Sequence, residues 1–141
     1  MKSWIIPCNP DDFNHEGAFR DLDYVYWTQN RMKGIASGDI VYLYVTEPIK
    51  KILYQCEVRL SNVPFSDEVL EDKPYWLDVE KFSTNQSQRK YLKLKLIGEN
   101  RTQMLDLIDL QNHGETFTFR GHKEIEGEYL KYVESVFERY G

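Results

Sequence analysis

The sequence predicts a mixed α+β domain: a small, strongly curved sheet or barrel of about five or six strands with helices packed around it. Three observations carry this expectation. "DIVYLYVTEP" (39–48) and "ILYQCEVRL" (52–60) are β-branched, aromatic-rich runs joined by a short turn, which is the pattern of a hairpin. "KYLKLKLIG" (90–98) alternates apolar and basic residues, so Leu92, Leu94 and Leu96 point inward and the lysines outward. The last segment sets Ile125, Tyr129, Tyr132, Val133, Val136, Phe137 and Tyr140 at helical spacing. Strands and helices do not alternate along the chain, which argues against a doubly wound parallel sheet.

The remaining elements follow in order. "SWIIPC" (3–8) is an apolar run stopped by Asn9-Pro10 and reads as a buried first strand. "PDDFNHEGAFRDLDY" opens with Pro10 and two acids, the composition of a helix first turn, and carries Phe13, Ala18, Phe19 and Leu22 as its apolar stripe. Residues 37–39, "SGD", form a turn. Residues 61–76 are acidic and read as irregular. The sign then reverses: Lys81 to Arg101 holds six basic residues and one acid, Glu99. "LDLIDLQNHG" fits a short helix with Asp106 as N-cap and Gly114 closing it, and "ETFTFRG" (115–121) reads as a short strand.

Length and composition bound the function. The 141 residues suit one domain, 1–141, large enough to bury roughly two-thirds of its unfolded surface without a metal or disulfide staple. Aromatics make up 14% of the chain, enough to line a surface or cavity as well as a core. A net charge of −5 argues against gripping nucleic acid through bulk charge, while leaving room for a local basic face. No apolar run approaches the ~18 residues of a membrane span, and no signal-peptide pattern opens the chain. The expectation is a cytoplasmic protein with Cys8 and Cys56 reduced and no membrane association.

Catalytic signatures are missing. There is no P-loop, dinucleotide-binding glycine pattern or nucleophile elbow. His15, His113 and His122 have no partner at metal-ligand spacing and read as surface histidines, so no metal or cofactor is expected. Cys8 ends an apolar strand and reads as a buried, inert thiol. Trp4 lies in the same strand and reads as core.

The set "SWIIPCNP", "YWTQN", "GDIVYLYVTEPIKKILYQCEV", "RKYLKLKLI", "LDLIDLQNHG" and "FRGHKEI" resembles the EVE domain family, small PUA-like domains related to the YTH readers of methylated adenine. The resemblance spans nearly the whole chain and is most specific in the hairpin. It implies a PUA-like curved β-barrel and a non-enzymatic module that binds a modified base in DNA or RNA through an aromatic pocket. Some relatives are fused to nucleases, which implies a possible nuclease partner in trans. By position, it implies base contacts from Asn9, Trp27, Thr28 and Trp76; it places no third pocket wall. From the residues alone, Trp27 suits a packed core as well as a pocket, and Asn9 before Pro10 is also a good turn residue. On this reading Tyr24 and Val25 pack on the barrel, Trp27 faces the pocket with Thr28 at its rim, and the hairpin from Gly38-Asp39 forms the floor. Arg89, Lys90, Arg120 and Lys123 are the expected phosphate contacts, although the lysines of 81–95 equally suit a solvated strand face.

Two other classes compete. One is a nuclease on a PUA-like scaffold: the related ASCH family carries G-x-K-x-x-E-x-R, and "GHKEIEGE" (121–128) matches its Gly, Lys and Glu but has Glu128 in place of Arg. The other is a protein-interaction or small-ligand module, which the net acidity favours over tight nucleic-acid binding.

Overall fold

A computed structural model describes residues 1–29, 32–83, 88–115 and 121–140. The strands are β1 (Ser3–Cys8), β2 (Val25–Thr28), β3 (Ile40–Val45), β4 (Lys51–Pro64), β5 (Lys90–Glu99) and β6 (Lys123–Ile125). The helices are α1 (His15–Asp21), α2 (Asp67–Leu70), α3 (Val79–Ser83), α4 (Leu107–Asn112) and α5 (Gly127–Tyr140), with a 3-10 turn at Lys73–Tyr75. The strands form one sheet in the order β2-β5-β4-β3-β1-β6, curled into a half-barrel of the PUA-like kind. All pairings are antiparallel except β1 with β3, which run parallel.

The curl has a local cause. Strand β4 slips register once against β3 and three times against β5, and each slip inserts unmatched residues that bend and twist the strands. The slip at Leu53 changes the phase of the strand. Ile52 faces one cluster while Tyr54, Cys56 and Val58 face the other. The inner cluster collects Trp4, Ile6 and Cys8 of β1, Val41, Leu43 and Val45 of β3, and Leu92 and Leu94 of β5, closed by Ala18 and Phe19 of α1. Leu96 packs against the same cluster, as the alternation of β5 predicts. On the outer face, α4 and α5 cover Ile5, Tyr42 and Tyr44 with Leu110, Val133 and Phe137. A third cluster, Tyr26, Val69, Phe82 and Tyr91, covers the outer face of β2 and β5.

Several expectations are corrected. Helix α1 starts at His15, not after Pro10: Asn14 is the N-cap, its Oδ1 accepting the Gly17 N–H at 3.0 Å. Gly17 makes this possible, since a Cβ there would stand 2.6 Å from Asn14 Nδ2. Strand β4 runs on to Pro64, and α2 and the 3-10 turn occupy much of the segment read as irregular. Ile125 belongs to β6, not to the C-terminal helix; it pairs with Ser3 and still packs under α5. Tyr24 is 37% exposed, with the Lys93 and Lys95 ammonium groups 4.3 and 5.4 Å from its ring, whereas Val25 is fully buried. Residues 116–120 of the expected strand at 115–121 lie outside the described residues, as does Arg120.

Asp39 closes the fold at the start of the hairpin. Its carboxylate accepts the Lys2 N–H at 2.9 Å, the Ala36 N–H at 3.0 Å and the Trp4 indole N–H at 3.1 Å. Burial raises its pKa, but these donors outweigh burial and leave it below the usual range. The preceding Gly38 sits at φ +94°, a conformation open to glycine at little cost. Replacing Asp39 by Ala strands three donors, so Asp39→Ala is expected to cost about 3 kcal/mol by urea denaturation. A loss under 1 kcal/mol would contradict this account.

Two buried groups set opposing pH dependences. Burial pushes Asp72 up to about 7, and burial lowers His15 to about 4. Between the unfolded carboxyl value and pH 7 the folded state holds an extra proton on Asp72, so that contribution falls as pH rises. Between pH 6.5 and 4 the unfolded state holds the extra proton on His15, so that contribution falls as pH drops. Asp72→Asn keeps an acceptor for its partner and removes only the first trend. The variant should gain stability relative to the parent at pH 7.5, by a few kcal/mol at most, and little at pH 4. Parallel profiles in urea unfolding at the two pH values would refute the assignment.

Candidate functional site

The loop after β1 is built by Asn9. Its Oδ1 accepts the Asp11 N–H at 2.9 Å and its carbonyl accepts the Asp12 N–H at 3.1 Å, which turns the chain back on itself. The next residues run extended and pair with the segment that carries Trp76. Asn14 N–H donates to the Tyr75 carbonyl at 2.7 Å, and Leu77 and Asp78 N–H donate to the Asp12 carbonyl at 2.8 and 3.1 Å. This bridge sets Phe13 opposite Trp76. A second tie comes from Asp72, whose Oδ2 accepts the Tyr26 N–H at 2.7 Å. That N–H lies on β2, which among the described residues pairs only with β5, so the bond also satisfies a donor on the sheet edge.

These ties bring three aromatic rings together. Trp27 shares the inward face of β2 with Val25, and its side chain stays half-buried. Phe13 lies 6.3 Å from Trp27 and 5.2 Å from Trp76, meeting both rings edge-on at 80° and 65°. Phe82 braces Trp76 from 5.5 Å, and the His15 ring stacks on Trp27 at 5.6 Å. Phe13, Tyr26, Trp27, Thr28 and Trp76 enclose a cavity of about 150 Å³, the space of roughly five waters. A larger recess of about 340 Å³ shares Phe13, Trp27, Thr28 and Trp76 with it and adds Asn9, Asp12, Lys81 and Arg89.

The polar groups of the recess are partly committed. Lys81 Nζ pairs with Asp12 Oδ2 at 2.8 Å, and Arg89 Nη1 donates to the Lys81 carbonyl at 2.8 Å. Cys8 also lines the recess, but burial pushes its thiol far up, away from the thiolate an activated nucleophile needs. His15 is buried, not on the surface as its sequence context suggests. Its low pKa keeps the imidazole neutral, and its Nε2 has no hydrogen-bond partner. His113 and His122 are exposed, and no group of three potential metal ligands occurs among the described residues.

The sequence-derived residues divide clearly. Asn9, Trp27, Thr28, Trp76 and Arg89 line one recess. Lys90 is exposed beside Arg89 and its carbonyl accepts the Gln29 N–H at 2.9 Å; its side chain is not part of the lining. Lys123 lies on β6, at the opposite end of the strand order, in an ion pair of 2.9 Å with the buried carboxylate of Glu115. The lysine of "GHKEIEGE" is thus engaged in the fold. The hairpin does not form the pocket floor: none of its residues lines the cavity, and Val45, Leu53 and Tyr54 line a neighbouring cleft instead. The sequence pattern does not single out Phe13, whose spacing fits a helical stripe.

No protein-family model matches the chain, and no curated protein sequence matches it. Solved structures do. A hypothetical protein from Leishmania major superposes with a TM-score of 0.65 at 20% identity, over 99% of this chain and 96% of that one. The ASCH protein of Zymomonas mobilis gives 0.65 at 11% identity, over 96% and 95% of the two chains. Human THYN1, solved in complex with DNA containing 5-methylcytosine, gives 0.63 at 11% identity over the full length of both. These relatives give no support to a nuclease partner. At such identities the likeness is one of fold, and the chain has the PUA-like fold shared by ASCH domains and the EVE-domain protein THYN1.

Proposed function

We propose that this chain is a non-enzymatic, cytoplasmic module that recognises a modified nucleobase in DNA or RNA. The observation that carries the reading is the cavity lined by Trp27, Trp76 and Phe13, in a fold shared with THYN1, which was solved in complex with DNA containing 5-methylcytosine. A planar base turned out of its stack enters such a cavity edge first and gains about 1–3 kcal/mol per aromatic face.

A methyl group buried against these rings adds roughly 0.8 kcal/mol, about a fourfold preference by itself. Rings fixed in advance by Phe13, Phe82 and His15 lower the ordering cost of binding and so raise affinity. Asn9 spends its Oδ1 on the turn and keeps its amide N–H groups for a base acceptor. Thr28 supplies a hydroxyl at the cavity wall. Arg89 and Lys81 supply positive charge for the flanking phosphates, which an acidic protein can do only locally.

Two measurements test this. Short single-stranded and duplex oligonucleotides carrying 5-methylcytosine, N6-methyladenine or no modification are titrated while tryptophan fluorescence is followed. One modified base should bind at least severalfold more tightly than its unmodified form, and Trp27→Ala should lower that affinity tenfold or more with the fold retained by circular dichroism. Equal affinity of the variant would overturn the role of Trp27. Separately, Arg89→Ala should weaken all bound oligonucleotides alike and reduce the slope of log affinity against log salt by about one. An unchanged slope would remove Arg89 from the phosphate contacts.

A further inference from the structure

Beside the aromatic recess lies a second cleft of about 380 Å³ that the reading above leaves unused. The two cavities share Phe13 and His15 as a common wall. Across that wall the rings form a column: Trp27 stacks on His15 at 5.6 Å, and His15 faces Tyr54 at 6.4 Å with its plane tilted by 32°. Aliphatic side chains, among them Leu53, Ile49 and Leu77, make up much of the remaining lining, with Asn14 and Glu16 as its polar members. Ile49 is 42% exposed and Leu77 61% exposed, so two aliphatic side chains stand at the opening of the cleft. Leu77 is held there by its N–H bond to the Asp12 carbonyl.

Two features bear on the occupant. The lining contains no cation; its one charged group is the Glu16 carboxylate, which disfavours a phosphate and can accept from an exocyclic amino group. His15, 5% exposed, carries a buried Nε2 with no partner and lines both cavities. The cations Lys81 and Arg89 belong to the other recess. Aromatic and aliphatic walls with a carboxylate acceptor suit a nucleobase.

We propose that this cleft is a second subsite, which takes the base neighbouring the one held between Trp27 and Trp76 in the same strand. The inference rests on the modified-base reading. It makes the protein a reader of a modified base in its sequence context, with a bias at one flanking position toward bases that carry an amino group facing Glu16.

The test uses trinucleotides with the preferred modified base at the centre and an abasic site replacing one neighbour at a time, so that every phosphate is kept. Removing the base on one side should weaken binding about fivefold to a hundredfold, and removing the other should matter far less. In the Ile49→Ala/Leu77→Ala double variant the penalty should shrink, while Ile108→Ala, at an exposed residue that does not line the cleft, should leave it intact. If neither abasic substitution costs affinity while the central modified base is still discriminated, the subsite is refuted and the base-reading function stands. If no modified base is discriminated at all, the function proposed above fails and this inference fails with it.

Discussion

The candidate site depends on one backbone pairing: the Asp12 carbonyl with the N–H groups of Leu77 and Asp78, and the Asn14 N–H with the Tyr75 carbonyl. These bonds dock a short 3-10 turn onto the loop after β1 and hold Trp76 against Phe13. The Asp72 carboxylate adds a tie from the same turn to Tyr26, the residue before Trp27. Without them Trp27 would be one ring on an edge strand. With them it shares a contact to Phe13, and a cavity wall, with Trp76 from a distant part of the chain. Site and fold share the same bonds, so the rings are fixed before any ligand arrives.

Charge is distributed to the same end. The chain is acidic overall, and acids crowd α2 and the two residues that follow it, Glu71 and Asp72. Lys81 and Arg89 nonetheless meet in the aromatic recess, one beside Asp12 and the other on the Lys81 carbonyl. Exposed ion pairs of the Lys81–Asp12 kind contribute little to stability, so their main effect is to position charge. Lys123 shows the converse: its partner Glu115 is buried and also accepts the Tyr129 hydroxyl, so this lysine is tied into the fold.

Local patterns were legible in the sequence. The hairpin, the inward leucines of β5, the Asp106 cap, whose Oδ1 accepts the Asp109 N–H, and the buried state of Trp4 all follow from propensity and alternation. Asn9, Trp27, Thr28 and Trp76, which the family resemblance brings together, fall into one recess. What sequence could not carry were consequences of long-range pairing. His15 looks like a polar residue at a helix start, yet the curl of the sheet places it between Trp27 and Tyr54. Phe13 reads as a helix stripe because nothing local announces its bridge to Trp76. Ile125 keeps helical spacing with α5 but is captured by the edge of β1. Lys123 looks like a free cation until the buried Glu115 is seen beside it.

The three tryptophans offer the most direct test of the central claim, that the space between Trp27 and Trp76 receives a base. Their indole N–H signals can be followed by nuclear magnetic resonance as an oligonucleotide carrying 5-methylcytosine or N6-methyladenine is added. The account predicts that the Trp27 and Trp76 signals shift with the modified base and hardly at all with its unmodified form. Trp4, buried and bonded to Asp39, should stay in place. Binding that moves neither Trp27 nor Trp76 would contradict the account and put the contact surface elsewhere on the molecule.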